Sequence, residues 1–394
     1  MVNERFYDMF TKPYDFNPTC GYTLGPGCAA KVGEKLAMYQ RKKAFIITGR
    51  TVRSLGYTDL VAKGIAACGI EYEIYDDTEV NPSSACVHRA FDYMKGKGFD
   101  VIVAVGGGSV MDTAKGVKHL CGNPDMQIND IAMGPNFQYR PRRSPVLLFT
   151  VPTMNGTGCE LSAGAVITSP VGTKDTCLSG DTAPDFAFID PNFSIGLPAK
   201  PTIAAACDAI AHGFNKLLIT DGIYYMQNLV NVDLIKILLE VVPKALAKPD
   251  DVSYRSAIAL ATAMPMFYSG NKCWGHAYAH TITHYFGTSH GIACAWVQPA
   301  VLRRYLPKCT ATTVQLAEML GLNPNTYTVV DDICNKMIEW YKSIGIPSPA
   351  DSCDYDIWMK MGPDVPKDSF WHMAGGNYPA TVEEVLVEAW NDFA

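Results

Sequence analysis

Asp100 to Val105 (DVIVAV) runs without a break into Gly106-Gly107-Gly108-Ser109, and helical spacing (SVMDTAKGVKHL) begins at once. A continuous run of branched apolar residues predicts a strand buried on both faces, as in a parallel sheet covered by helices above and below. The surrounding chain keeps that alternation. Ala44 to Thr48 (AFIIT) and Glu71 to Tyr75 (EYEIY) read as strands. Helical patterns run through Leu60, Val61, Ile65 and Ala66 to near Gly69, and from Val87 to Met94 before Lys95-Gly96-Lys97-Gly98. This order predicts an open, mostly parallel, doubly wound α/β sheet. Between residues 145 and 190 the texture is strands and turns (PVLLFTVP, AGAVIT, FAFIDP), and after Pro198 helical patterns dominate. The expected organisation is an α/β domain over 1–194 and an all-helical domain over 195–394.

A chain of 394 residues is too long for one ordinary core and comfortable for two. With 48% hydrophobic and 18% charged residues it is globular in composition, not disordered. Its net charge of −6, with only short basic steps such as Arg41-Lys42-Lys43 and Arg142-Arg143, offers no basic field for nucleic acid. The 13 cysteines are odd in number and form no CxxC pair. Cys68, Cys86, Cys177 and Cys207 lie among apolar neighbours and read as small buried hydrophobes in a reducing compartment. Met1-Val2-Asn3-Glu4-Arg5 lacks an apolar signal core, and no run of 18 apolar residues occurs. A cytoplasmic protein with no membrane span is therefore expected.

A glycine-rich turn between strand and helix lets the backbone approach a ligand closely, and the first helical N–H groups favour an anion such as a pyrophosphate. Ser109 is expected to cap this helix, with Asp112 completing a variant capping box. A plain tight turn before a capped helix would use the same residues. A second loop, Pro152 to Glu160 (PTMNGTGCE), sets hydroxyls and glycines after an apolar strand. It reads either as a phosphate or nicotinamide contact or as an ordinary hairpin loop.

Four of the eight histidines, His276, His280, His284 and His290, fall within one short apolar stretch. On a helix, positions four apart share a face, so His276 pairs with His280, and Asp208 pairs with His212 in AAACDAIAHGFNKLL. A single such histidine is ordinarily a core residue with a satisfied ring. A cluster in an apolar setting needs partners for several imidazoles, and one cation supplies them together. Nitrogen and carboxylate donors suit Fe(II), Zn(II), Co(II) or Mn(II).

Together these motifs resemble one family, the iron-dependent (group III) alcohol dehydrogenases, which include lactaldehyde reductase, 1,3-propanediol dehydrogenase and butanol dehydrogenase. The resemblance spans nearly the whole chain. It rests on GGGSVMDTAK at 106–115, PTMNGTGCE at 152–160, Lys174 upstream of IDP at 189–191, CDAIAH at 207–212, GHAYAHTITHYFGTSHG at 275–291, and a GGNYP near the C-terminus. It implies a metal-dependent, NAD(P)-linked alcohol dehydrogenase or aldehyde reductase that moves hydride between nicotinamide and a small primary alcohol or aldehyde. The N-terminal domain would then bind the dinucleotide, and the helical domain the metal and substrate. Asp208, His212, His276 and His290 match the metal ligands, Fe²⁺ by resemblance with Zn²⁺ also compatible. His280 matches a histidine beside the nicotinamide with a proton-relay role. Gly107, Gly108, Ser109 and Asp112 match the phosphate site, and Thr153, Met154, Thr157 and Lys174 the contacts around ribose and nicotinamide. Asn81 matches a residue near the substrate pocket, where Asn155 and Trp274 are also expected, with Phe267, Tyr278 and His372 as further lining. A homodimer or larger assembly of this chain is implied.

Several positions depart from the family pattern. Where members preferring NAD often carry Asp after the first strand, this chain has Gly49 followed by Arg50, so NADP(H) is not excluded and Arg50 is placed to meet a 2′-phosphate. Cys159 replaces a usual Ser or Ala, Thr283 a common Gly, and Asn215 a common Glu. Two rival readings stand beside the dehydrogenase: a glycerol-dehydrogenase-like or dehydroquinate-synthase-like enzyme of the same fold, and a non-catalytic metal-binding protein.

Overall fold

Among the described residues eight strands form in chain order: β1 (Gly21–Leu24), β2 (Lys43–Thr48), β3 (Glu71–Tyr75), β4 (Val101–Gly106), β5 (Leu147–Pro152), β6 (Ala165–Thr168), β7 (Lys174–Cys177) and β8 (Phe186–Ile189). The computed structural model describes residues 20–134, 137–154, 156, 158–220, 225–267, 274–373 and 380–394. Six strands pair in parallel in the order β1-β8-β5-β4-β2-β3, and β6 and β7 make an antiparallel hairpin.

Side chains alternate across a strand, and here the alternation divides two cores. Phe45, Ile47, Ile102, Ala104 and Leu148 join one cluster, which receives Val87, Ala90, Phe91 and Met94 of α4 (Ser84–Met94) and Val110, Met111, Ala114 and Val117 of α5 (Gly108–Gly122). Ala44, Ile46, Val101, Val103, Val105 and Phe149 join the other, with Val32 and Leu36 of α1 (Val32–Met38) and Val61, Ala62 and Ile65 of α3 (Tyr57–Ala67). A short α2 (Arg50–Ser54) follows β2 directly. The sheet is thus covered on both faces, as its apolar strands demand.

From β2 the chain moves outward to β3, then returns to the other side of β2 for β4. That reversal is the switch point of an open α/β sheet, where the carboxyl ends of the strands part and leave a crevice. Thr48 lies beside Val105 in register, so Gly49 and the glycine turn emerge next to each other.

The remaining helices are α6 (Ala199–Thr220), α7 (Tyr225–Ala247), α8 (Val252–Ala263), α9 (Trp274–Phe286), α10 (His290–Tyr305), α11 (Thr310–Met319), α12 (Val329–Ser343), α13 (Tyr355–Lys360), α14 (Ser369–Met373) and α15 (Val382–Phe393). The described residues divide into two compact units, one holding the sheet together with residues 249–267, the other holding 197–248 and everything from 274 onward. Helix α8 therefore belongs with the sheet, where Ala259 and Ala263 meet Leu161, Ala187 and Ile189. In the helical unit α10 is central: it is buried on nearly every side, and α6, α9, α12 and α15 pack around it. No helix among the described residues is long and apolar enough to cross a membrane.

Candidate metal centre and glycine turn

Asp208 and His212 stand one turn apart on α6, His276 and His280 one turn apart on α9, and His290 opens α10. Gly291 decides how these helices meet. A Cβ there would fall 1.8 Å from the carbonyl oxygen of Ala204, so only glycine lets α10 approach the backbone of α6 this closely. As a result Asp208 Oδ1 lies 3.3 Å from His276 Nε2, 3.4 Å from His290 Nε2 and 3.8 Å from His212 Nε2. Asp208, His212 and His276 are buried, and His290 is partly exposed.

These separations can be tested against a metal. Ligand bonds near 2.1 Å in a tetrahedral shell give donor–donor edges of about 3.4 Å, which the two shortest distances already match. Burial by itself would raise the Asp208 carboxyl, but the His212 and His290 rings and hydrogen bonding from His276 and His290 hold it well below the usual carboxylate range. Burial pushes His212 and His276 down, toward the neutral imidazole that a metal requires.

The third test is an orphaned atom. His276 Nδ1 faces Asn215 Nδ2 at 3.0 Å, while the buried Asn215 Oδ1 finds no hydrogen-bond partner among the described residues. An imidazole that gives its Nε2 lone pair to a cation carries its proton on Nδ1 and needs an acceptor there. A half-turn of the amide presents Oδ1 to that proton. The donor set fits a divalent cation.

Sequence reasoning missed one candidate donor. Cys294, one turn after His290 on α10, has its Sγ 3.6 Å from His290 Nε2 and 3.8 Å from Asp208 Oδ1. Asp208, His276, His290 and Cys294 each offer a ligand atom within 4.8 Å of the others. The signal was the same four-residue spacing that marks Asp208 and His212, hidden because a cysteine in an apolar helix reads as core. Nearby, His280 Nδ1 is 3.0 Å from Asp368 Oδ2, and its ring centroid is 4.8 Å from that of His290. His284 is exposed and takes no part.

In the sheet unit, β4 ends at Gly106, where a Cβ would strike Val110 Cγ2 at 2.6 Å. Gly107 is the N-cap of α5 and brings no side chain to it. This corrects the expectation for Ser109: the helix starts one residue before it, so Ser109 sits inside the first turn, where a hydroxyl cannot cap. Its Oγ instead accepts from the Asn81 N–H at 3.1 Å. Asp112 closes no capping box either. It is largely shielded, 3.9 Å from Lys115 Nζ, and burial raises its carboxyl to about 6.

Lys174 Nζ donates to Asn81 Oδ1 at 3.1 Å, which joins Ser109, Asn81 and Lys174 in one chain beside the glycine turn. The Thr153 N–H donates to the Gly106 carbonyl at 3.0 Å, and Met154 Cε lies 4.0 Å from where a Gly107 Cβ would stand. Gly49 bridges to Asp77, and Arg50 pairs with Asp77 at 2.7 Å in a largely exposed ion pair. Asn155 and Thr157 fall outside the described residues, as does the GGNYP segment. Phe267 stacks on Tyr22 in the sheet unit. In the helical unit Trp274 is buried and stacked on Tyr305 at 4.0 Å, Tyr278 is buried, and His372 is exposed.

Comparison with known proteins agrees with this chemistry. The iron-containing alcohol dehydrogenase profile matches residues 19–191, and the C-terminal profile of the Fe-containing alcohol dehydrogenase family matches 202–357. An NAD-dependent methanol dehydrogenase of Bacillus methanolicus is 30% identical over 331 residues, covering 82% of this chain and 85% of that protein. A lactaldehyde reductase of Escherichia coli is 26% identical over 281 residues, 71% of this chain and 72% of that protein. The fold matches that of an NADH-dependent butanol dehydrogenase from Thermotoga maritima with a TM-score of 0.83 at 23% identity, over 97% of this chain and 99% of the other. The chain belongs to the iron-containing alcohol dehydrogenase family and is an oxidoreductase, a metal-dependent alcohol dehydrogenase or aldehyde reductase.

Proposed function

We propose that this chain interconverts a small primary alcohol and its aldehyde using NAD(H) or NADP(H), with a divalent metal held by Asp208, His212, His276 and His290. The observation that carries the reading is the convergence of three imidazole nitrogens on Asp208 Oδ1 within 3.8 Å. When bound, the metal supplies Lewis acidity to the substrate oxygen and the nicotinamide accepts or gives hydride.

The chain's own residues do the rest. Gly107 and Gly108 leave the backbone bare, so that a pyrophosphate can reach the first amides of α5. Ser109 would join them at the phosphate, and Lys174, linked to Ser109 through Asn81, would set the ribose side of the cofactor together with Thr153, Met154 and Thr157. Asp112 braces α5 through Lys115. Asn81 is assigned to the substrate side by resemblance, and Asn155 and Trp274 as candidate pocket-lining residues. His280 gives its Nδ1–H to Asp368, which leaves Nε2 as the basic nitrogen for relaying a proton.

Relatives whose names specify NAD or NADH support that dinucleotide, while Gly49 and Arg50 keep NADP(H) in play. Iron is favoured by the family and zinc is the alternative. A cytoplasmic homodimer or larger homo-oligomer completes the reading.

The test is a screen of short-chain aldehydes with NADH and NADPH in parallel, on protein whose metal content has been measured. Asp208→Ala and His276→Ala should lose the metal and about 10²–10³-fold or more in turnover while remaining folded. Full turnover without bound metal would falsify the assignment. His280→Ala should keep its metal and slow by about 10²-fold; unchanged turnover removes the relay.

A further inference from the structure

The centre assigned above to a metal carries a sulfur outside the expected ligand set. Other buried thiols of this chain behave as core groups: Cys309 Sγ donates to the Leu218 carbonyl at 3.4 Å and Cys334 Sγ to the Pro299 carbonyl at 3.5 Å. Cys294, 1% exposed, instead faces His290 Nε2 at 3.6 Å and Asp208 Oδ1 at 3.8 Å. With a zinc–sulfur bond near 2.3 Å and zinc–nitrogen or zinc–oxygen bonds near 2.1 Å, a tetrahedral shell has sulfur-to-neighbour edges of about 3.6 Å. The thiol's edges to His290 and Asp208 therefore fit a fourth donor, with His276 completing a group in which every ligand atom lies within 4.8 Å of the others.

Resting on the metal-centre reading, we propose that Cys294 is a sulfur ligand of the same ion and sets which metal the chain retains. Binding releases the thiol proton to solvent, and the thiolate is the donor. His212, with Nε2 3.8 Å from Asp208 Oδ1, stands outside that group of four, and a four-coordinate ion cannot take both it and the sulfur. Sulfur and the His212 imidazole compete for the ion. A borderline ion such as Zn²⁺ or Co²⁺ takes the thiolate, whereas a hard ion such as Mn²⁺ leaves it a bystander.

The experiment uses the full chain, stripped by a chelator and loaded with Co²⁺ alone. A thiolate on cobalt gives an intense near-ultraviolet charge-transfer band, and nitrogen and oxygen donors give only weak d–d bands. The expected result is one such band per bound cobalt, lost in both Cys294→Ser and Cys294→Ala. Zinc affinity should fall about tenfold or more in these variants, and manganese affinity should stay within about twofold. Stoichiometric cobalt without the band in the unmodified protein overturns the sulfur ligand and leaves the metal centre standing, whatever the variants do. A band that survives in the variants overturns it as well. Failure of the unmodified protein to bind cobalt removes the centre itself and the proposal with it.

Discussion

Glu160 closes the PTMNGTGCE loop with a carboxyl that is 1% exposed and whose Oε1 has no hydrogen-bond partner among the described residues. Burial raises it from 4.5 to about 7, against a backbone hydrogen bond and the Lys115 ammonium. Between those two values the folded chain holds a proton that the unfolded chain has lost. Stability therefore falls as pH rises through this window and is lowest above it. A shift of that size is worth roughly 3 kcal/mol. Glu160→Gln removes the titration, so its Tm relative to the unmodified chain should rise by about 5–10 °C between pH ~5 and pH ~8. A Tm difference that does not change with pH shows that Glu160 does not titrate there. Single residues differ in how openly they announce themselves. That Asp208, His212 and His276 come together was legible because helical spacing turns a sequence interval into a shared face. Asp368, which orients His280 from 88 positions away, leaves no local trace. Ser109 misled because serine before a helical run resembles a cap, and the three glycines let the helix start earlier.

At the scale of elements, the approach of α10 to α6 is what turns spacing into a site. At Gly291 an added Cβ would lie 1.8 Å from the Ala204 oxygen and 2.6 Å from its carbon, both rigid backbone. Gly291→Ala must therefore push the helices apart, at a cost of about 1–3 kcal/mol, and carry His290 away from Asp208. Metal affinity should fall about tenfold or more. Gly275→Ala is the control, since its Cβ would meet nothing closer than Gln298 Oε1 at 3.5 Å. Titration of stripped protein with zinc, alongside thermal melts, separates the two effects; affinity unchanged in Gly291→Ala would show that the contact serves packing alone. The strands that sequence reading found are the continuous apolar β2, β4 and β5, whose burial on both faces requires that composition, together with β3 (EYEIY) and the apolar pieces that become β6 and β8. β1 (GYTL) and β7 (KDTC) escaped it because both are four residues long and mostly not apolar. The helical pattern of α8 was visible, but periodicity gives the buried face of a helix and not the core that receives it. Only the contact of Ala259 and Ala263 with Ile189 assigns α8 to the sheet.

For the whole molecule, the division of labour predicts where metal loss is felt. All the proposed metal donors belong to α6, α9 and α10 in the helical unit, while β4 and the glycine turn belong to the sheet unit. Without a cation, Asp208, His212 and His276 stay buried around one another, three imidazoles sharing one carboxylate oxygen. A metal present at a thousandfold over its dissociation constant stabilises the folded chain by about 4 kcal/mol. Chelation should thus lower Tm by on the order of 10 °C. Amide exchange should locate the change: faster in α6, α9 and α10, nearly unaltered in β2, β4 and β5, and reversed when zinc is restored. Added NADH should do the opposite, slowing exchange at the start of α5. Equal loosening of both units on chelation would mean that the ion acts through global stability and not through these three helices. No change anywhere would mean that the imidazoles surround the carboxylate without holding a metal.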